Sequence, residues 1–317
     1  MTDGVVATIL VDVHELTVAV VVPSPATSLV FEATSAKVHA AVAPRTAGGD
    51  LTVPGAAGRL LDEVEGLDAV AITTPPSVRY EIARESIERG LHALLEKPPT
   101  DTLSEIEDLA CLAEGREVTV FTTWHAQHNP AVAAAAEALA GKRIAAMDIL
   151  WHEDVRKWHP GQRWIWEPGG FGVFDPGINA FSIATKIFPG TLFVSSAELH
   201  YPQDAQTPIA AEIEFASAVA DGPLRCSLDW RRTEGEEWTI VLRTADGTEV
   251  RLENGGSRLS IDGEPQAFDN PGEYPDIYAR FVELIDERRS EVDVVPLRLV
   301  ADCLLVGRRH MVESAPA

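Results

Sequence analysis

Two groups of residues in this chain have the types and spacing to do chemistry. Lys97 closes the apolar run Leu94-Leu95-Glu96-Lys97-Pro98-Pro99. Proline has no N–H for a sheet ladder, so Lys97 is placed at the exit of a strand. Downstream, Gly169-Gly170-Phe171-Gly172-Val173-Phe174-Asp175-Pro176-Gly177-Ile178-Asn179 carries a carboxylate and an amide four residues apart. Asp175 and Asn179 share one face of a helix at that spacing. A lysine, an aspartate and an asparagine gathered in one cleft can take a proton from a hydroxyl. Quieter readings stand beside this one. Lys97 also reads as a solvated lysine paired with Glu96. Asp175 before Pro176 reads as a helix N-cap with proline at the first helical position. The glycines before Asp175 permit close backbone approach to a ligand.

Between these groups, residues 151–166 hold four of the seven tryptophans, Trp151, Trp158, Trp164 and Trp166. Indole faces stack on the C–H groups of polyols, and Glu153, His159 and Arg163 supply hydrogen-bonding groups. The alternative is a long loop clamped to the core by its tryptophans. His152, Glu153 and Asp154 are consecutive, so an extended backbone turns them to opposite sides and they do not form a metal site. No metal is expected.

The elements that must position these residues follow from periodicity. Ala69–Thr73 is a short β-rich run ending in Thr74-Pro75-Pro76, and an amphipathic helix over Val78–Arg89 is closed by Gly90. His92–Glu96 is the next strand, Leu103–Ala113 a helix and Val118–Thr122 a strand. Such alternation builds a parallel sheet, whose ligands sit beyond the carboxyl ends of the strands. Thr74, Lys97 and Trp124-His125 fall at such ends. After an alanine-rich helix over Ala131–Leu139, the pattern changes to two-residue alternation in Ile209–Phe215, Leu224–Trp230, Trp238–Arg243, Thr248–Leu252 and Arg258–Ile261. The turn pairs Asp221-Gly222, Asp246-Gly247 and Asp262-Gly263 indicate an antiparallel sheet. Tyr274–Asp286 and Pro296–Met311 read as closing helices. Two domains are expected, 1–125 with a Rossmann-like parallel sheet and 126–317 with a large, mostly antiparallel sheet.

A net charge of −23 disfavours nucleic acid and anionic membrane as partners, because both are bound by excess Lys and Arg. No apolar run reaches the roughly 18 residues of a membrane span. Three scattered cysteines, Cys111, Cys226 and Cys303, form neither a disulfide framework nor a zinc spacing. A cytoplasmic setting is the expectation.

Taken together, the Thr-Pro-Pro turn, Glu96-Lys97-Pro98 and the glycine-rich stretch into Asp175 resemble the Gfo/Idh/MocA oxidoreductases. Within that family, Trp158-His159-Pro160-Gly161-Gln162 and Asn179, where most members carry histidine, resemble bacterial aldose 1-dehydrogenases acting on L-arabinose or D-galactose. The resemblance implies NADP or NAD as cofactor, a sugar as substrate and an aldonolactone as product. It implies Lys97, Asp175 and Asn179 as catalytic residues. Glu153, His159, Trp151 and Trp166 would bind the sugar. Thr74, Pro75, Pro76, Glu96, Lys97, His125 and Trp164 would lie at the cofactor. A homodimer formed through the open face of the antiparallel sheet is expected.

The chain departs from the family at its start. A Gly-x-Gly-x-x-Gly loop is expected after the first strand, where it lets the backbone approach a pyrophosphate. Here no glycine stands between Gly4 and Gly48. Thr8–Val13 reads as the first strand, and His14-Glu15 follows where the loop belongs. Gly48-Gly49 and Gly55-Ala56-Ala57-Gly58 come late, and the family pattern becomes recognisable from about Leu60. Three readings stay open: a divergent dinucleotide-binding segment, a different segment leaving a non-catalytic sugar-binding homologue, or an altered reading frame upstream.

Overall fold

The computed structural model describes residues 6–13, 16–23, 67–269 and 272–314, the first two segments by their backbone. The glycines at 4, 48, 49, 55 and 58 and the pair His14-Glu15 lie outside the described residues. The chain divides into two compact units. One comprises Met1–Thr123 with Tyr274–Val294, the other Trp124–Glu273 with Val295–Ala317.

The first unit is built on a five-stranded sheet. Its strands are β1 (Val6–Val13), β2 (Leu16–Pro23), β3 (Ala69–Ile72), β4 (His92–Leu95) and β5 (Val120–Thr122), in that spatial order. The last four run parallel, while β1 pairs antiparallel with β2 down to Val13 opposite Leu16. Thr8–Val13 thus lies in a strand as read, but the valine-rich β2 pairs antiparallel with it and parallel with β3. Strands β3 and β4 are buried nearly throughout, which is why their sequences are continuous apolar runs without alternation.

Helix α1 (Pro76–Glu88) follows β3 and buries Ile82, Ala83 and Ile87. It begins two residues before the sequence placed it, because a proline at the first helical position loses no hydrogen bond. Helix α2 (Leu103–Arg116) opens with a capping box: the Glu105 amide donates to Thr102 Oγ1 at 3.3 Å, and the Thr102 amide donates to Glu105 Oε2 at 3.0 Å. It runs past Ala113 until Glu117 turns left-handed at φ 55°. The unit is completed from far along the chain. In what is the sixth helix among the described residues, Tyr274–Asp286, the residues Ile277, Phe281 and Leu284 join Ala69, Ala71, Leu94 and Phe121 in one core. Phe121 and Phe281 stack with ring centroids 6.3 Å apart. Just beyond, the Glu291 amide donates to Val120 O at 3.0 Å and Thr122 donates to Glu291 O at 3.1 Å, extending the sheet past β5.

The second unit carries helix α3 (Pro130–Leu139), strand β6 (Ile144–His152), the short helix α4 (Val155–Trp158) and helix α5 (Phe174–Ile187). Then come β7 (Phe193–Pro202), β8 (Ala210–Ala216), β9 (Leu224–Asp229), β10 (Glu237–Thr244), β11 (Glu249–Glu253), β12 (Arg258–Ile261) and β13 (Glu264–Pro265). After α6, the Tyr274–Asp286 helix of the first unit, the chain adds α7 (Val295–Val306) and β14 (Arg308–Val312). The sheet order is β13-β12-β11-β10-β6-β9-β8-β7-β14. Pairing is antiparallel except between β6 and β9 and between β14 and β7. The sequence read one helix through Pro296–Met311. It ends instead at Val306, and Gly307 turns the chain so that Arg308–Val312 pairs in parallel with Glu198–Pro202. The buried face of α5, including Phe174, Ile178 and Phe181, supplies the centre of this unit's core.

Phe281→Ala should empty space beneath β5 and cost about 3–5 kcal/mol in the first unit's stability. Urea unfolding followed by circular dichroism checks this, and a loss below about 1 kcal/mol would mean that the far segment is not part of the core.

Candidate active site

At the carboxyl ends of β3 and β4, the first unit gathers five of the residues singled out above. Thr74, Pro75 and Pro76 leave β3, and Glu96 and Lys97 leave β4. The Lys97–Pro98 peptide bond is cis. Glu96 is buried, and its carboxylate accepts from the Lys97 amide at 3.1 Å and from the Tyr274 hydroxyl at 2.8 Å. Arg79, on the first turns of α1, is also buried. Its guanidinium donates to the carbonyls of Thr74, Glu96 and Pro98. Sequence reasoning passed over Arg79. A basic residue between Val78 and Ile82 on an otherwise apolar helix face was the signal that could have found it.

Beside this cation, Asp101 carries a carboxyl pushed up to about 6, by burial first and then by Glu105, with Arg79 pulling the other way. Its Oδ1 is buried without a hydrogen-bond partner. A raised acid pKa means the folded state holds the proton more tightly than the unfolded chain. This contribution to stability is therefore full below about pH 4 and is lost as pH rises through about 6.

In the second unit, the aromatic segment after β6 is organised by Glu153. This carboxylate is 4% exposed, and its two oxygens accept from the indoles of Trp230 at 3.0 Å and Trp238 at 2.9 Å. Trp151 and Trp158 pack on Trp238 with centroids 6.1 and 5.7 Å apart. Trp166 meets Trp230 edge-on at 5.4 Å, and His159 lies against Trp230 at 5.1 Å. Trp230 and Trp238, each on the antiparallel sheet or at its edge, read in sequence only as strand residues.

His159 links this cluster to Asp175. Its Nε2 lies 3.3 Å from Asp175 Oδ2, and its Nδ1 lies 3.2 Å from Gln162 Oε1, which also accepts from Trp164 Nε1 at 3.1 Å. An amide oxygen has no proton to give, so His159 Nδ1 is the protonated nitrogen of that contact. Asp175 is 6% exposed and sits inside the first turn of α5 rather than at its N-cap. Val173 is the N-cap residue and already helical (φ −57°, ψ −16°), which sets Asp175 one position inside the helix start. Asn179 stands one turn further along and is half-buried. The glycines before Asp175 serve the protein's own backbone: a Cβ at Gly170 would strike the Trp164 carbonyl, and one at Gly172 (φ +54°) the Pro208 carbonyl.

His125 stands apart from this network, in a 3-10 turn over His125–His128. Its Nδ1 lies 2.7 Å from Glu273 Oε2, while Asn129 donates to Glu273 Oε1 at 2.7 Å. Burial pushes the Glu273 carboxyl up, but the bonds to His125 and Asn129 outweigh it and leave it below its ordinary value. Cys226 and Cys303 are buried and burial pushes both thiols up, which makes them poor nucleophiles. Among the described residues, no group of three or more His, Cys, Asp or Glu is placed to hold a metal, and no helix is long and apolar enough to cross a membrane.

Residues 12–124 match an oxidoreductase family with an NAD-binding Rossmann fold, the Gfo/Idh/MocA family. Over 258 residues the chain is 45% identical to galactose 1-dehydrogenase of Pseudomonas fluorescens, covering 81% of this chain and 83% of that one. The chain belongs to the Gfo/Idh/MocA oxidoreductase family. A solved D-galactose-1-dehydrogenase from Rhizobium etli is 45% identical and superposes with a TM-score of 0.77, over 82% of each chain. A 3-ketoreductase from Actinomadura kijaniata, crystallised with NADP, is 14% identical with a TM-score of 0.65 over 80% of this chain and 82% of that one, and shares the fold. The family match reaches back to residue 12, well upstream of Leu60, where the motifs alone placed its start. The protein is an oxidoreductase of a family that uses a nicotinamide dinucleotide.

The described residues suit such a cofactor at one end. Thr74 Oγ1 is buried at a parallel strand's carboxyl end with no hydrogen-bond partner, where ligands of these sheets bind. The glycine-loop side falls differently, since β1 and β2 are joined by two residues and no helix intervenes.

Two substitutions test this anatomy. Asp101→Asn should raise Tm by roughly 2–4 °C at pH 8 and leave it unchanged near pH 4; equal Tm values at pH 8 would show the carboxyl to be unstrained. Glu153→Gln sets an amide N–H against an indole N–H and should cost about 2–3 kcal/mol. A stability unchanged in thermal unfolding would mean that Glu153 does not hold the indoles.

Proposed function

We propose that this protein oxidises an aldose of the D-galactose or L-arabinose type at C1 to the aldonolactone, with NADP or NAD. The observation that carries this reading is Lys97 at the carboxyl end of β4, with its flanking backbone fixed from inside the fold, in a chain 45% identical to a galactose 1-dehydrogenase. When bound, the nicotinamide supplies a hydride acceptor for C1. Lys97 takes the proton of the anomeric hydroxyl, so that the C1–O bond becomes the lactone carbonyl. Asp175 and Asn179 hold sugar hydroxyls from one face of α5, and His159, ordered by Asp175 and Gln162, adds a further hydrogen bond. Glu153 shapes the sugar side through the indoles it holds, with Trp151 and Trp166 as apolar walls. Thr74, Pro75, Pro76, Glu96, His125 and Trp164 belong to the cofactor side in this reading. The N-terminal unit takes the dinucleotide, and the second unit takes the sugar and forms a homodimer through its sheet.

A second reading, a sugar-binding homologue that no longer takes up dinucleotide, is favoured by the absence of glycine between Gly4 and Gly48. The family match from residue 12 supports the enzyme instead. Quenching of tryptophan fluorescence by NADP or NAD separates the two: saturable quenching supports the enzyme, and none from folded protein supports the binder. Lys97→Met should lower turnover of D-galactose or L-arabinose by ~10²–10⁴ while sparing dinucleotide binding. Turnover within a few-fold of the parent would remove Lys97 from the mechanism.

A further inference from the structure

The proton-transfer reading leaves open how Lys97 is kept in place, since it lies on a loop between two prolines and the end of a short strand. Loops of this kind gain their precision from what they are tied to. Lys97 is flanked by the carbonyls of Glu96 and Pro98, and both accept hydrogen bonds from Nη1 of Arg79. Nη2 of the same guanidinium donates to the carbonyl of Thr74, at the end of the neighbouring strand. A single side chain, 2% exposed, therefore grips the backbone on both sides of Lys97 and the turn that leaves β3.

We infer that Arg79 is a positioning residue that sets the place of Lys97, and its spacing from the Thr74-Pro75-Pro76 turn, through three backbone carbonyls. This rests on Lys97 being the proton acceptor. The chemistry favours arginine for the task. Carbonyl oxygens accept and cannot donate, so the holder must be a pure donor, and the guanidinium offers five N–H groups in one rigid plane. Lysine presents its donors from a single atom and cannot span carbonyls set at separate strand ends. A carboxylate would turn acceptors toward acceptors, and an amide has only two N–H groups, both on one nitrogen. Burying a cation is costly, and the three carbonyls offset that cost through its two terminal nitrogens. Holding two ends of a reactive residue at once matters because a displacement of about 1 Å can cost ~10²-fold in rate.

The test compares Arg79→Lys, Lys97→Met and the double variant on D-galactose and L-arabinose with NADP and NAD. Arg79→Lys is expected to lower kcat by ~10²-fold with the sugar KM within about two-fold of the parent, the split of a misplaced group rather than of lost binding. In the Lys97→Met background the same change is expected to add no further loss, because the two act as a unit. Hydrogen exchange of the unliganded protein is expected to quicken across residues 94–102 and to stay unchanged across 144–152. An unchanged kcat for Arg79→Lys, or losses that multiply in the double variant, would overturn the inference. Should that variant fail to fold, NMR of the unsubstituted protein decides: resolved, slowly exchanging Nη protons for Arg79 support the grip, and fully averaged ones overturn it. Near-parental turnover by Lys97→Met with a slow Arg79→Lys would instead sink the proton-acceptor reading alone.

Discussion

Burying a charge is tolerable only when hydrogen bonds offset the loss of water, and each of the two units is organised around one such charge. In the second unit the charge is the carboxylate of Glu153, answered by two indole N–H groups. Those two indoles in turn seat Trp151, Trp158, Trp166 and His159. In the first unit the charge is the guanidinium of Arg79, answered by carbonyls at the ends of adjacent strands. Neither group has to touch a substrate to matter. Each converts the loose end of a strand into a fixed point.

Where a side chain's partner lies nearby in sequence or on a regular face, the sequence made it legible. The parallel unit could be read from apolar runs punctuated by prolines and glycine, and the antiparallel one from alternation and Asp-Gly turns. Asp175 and Asn179 were legible as a pair because helical spacing alone brings them onto one face. What escaped was tertiary. Nothing near Arg79 announces carbonyls 17 and 19 residues away, and nothing near Glu153 announces indoles 77 and 85 residues away. The cap reading of Asp175 failed for a local reason, because the helix already begins at Phe174. The closing helix was overextended past Gly307-Arg308-Arg309-His310, where a glycine alone marks the break, because the change from helix to strand is dictated by pairing with β7, more than a hundred residues earlier in the chain.

The glycine-poor N-terminus sharpens what a family pattern means physically. Glycine in a phosphate loop is a solution to a steric problem, the approach of backbone to an anion. The family likeness persists from residue 12 without that solution. Elsewhere the chain spends glycine on contacts between its own backbone segments, at Gly170 and Gly172 ahead of α5. The same residue type thus marks internal packing there and not ligand approach, and glycine runs in this fold have to be judged by what a Cβ would strike.

The return of Tyr274–Val294 to the first unit bears on how the polypeptide is made. The core beneath β5 needs Ile277, Phe281 and Leu284. During synthesis the amino-terminal strands therefore emerge long before the residues that cover them, and the ribosome must deliver about nine-tenths of the chain first. The second unit's longest strands are all complete by then, since β6 to β13 lie between 144 and 265. The half of the protein translated first is the half that finishes folding late, and the sheet face carrying Ala69, Ala71, Leu94 and Phe121 spends that interval uncovered.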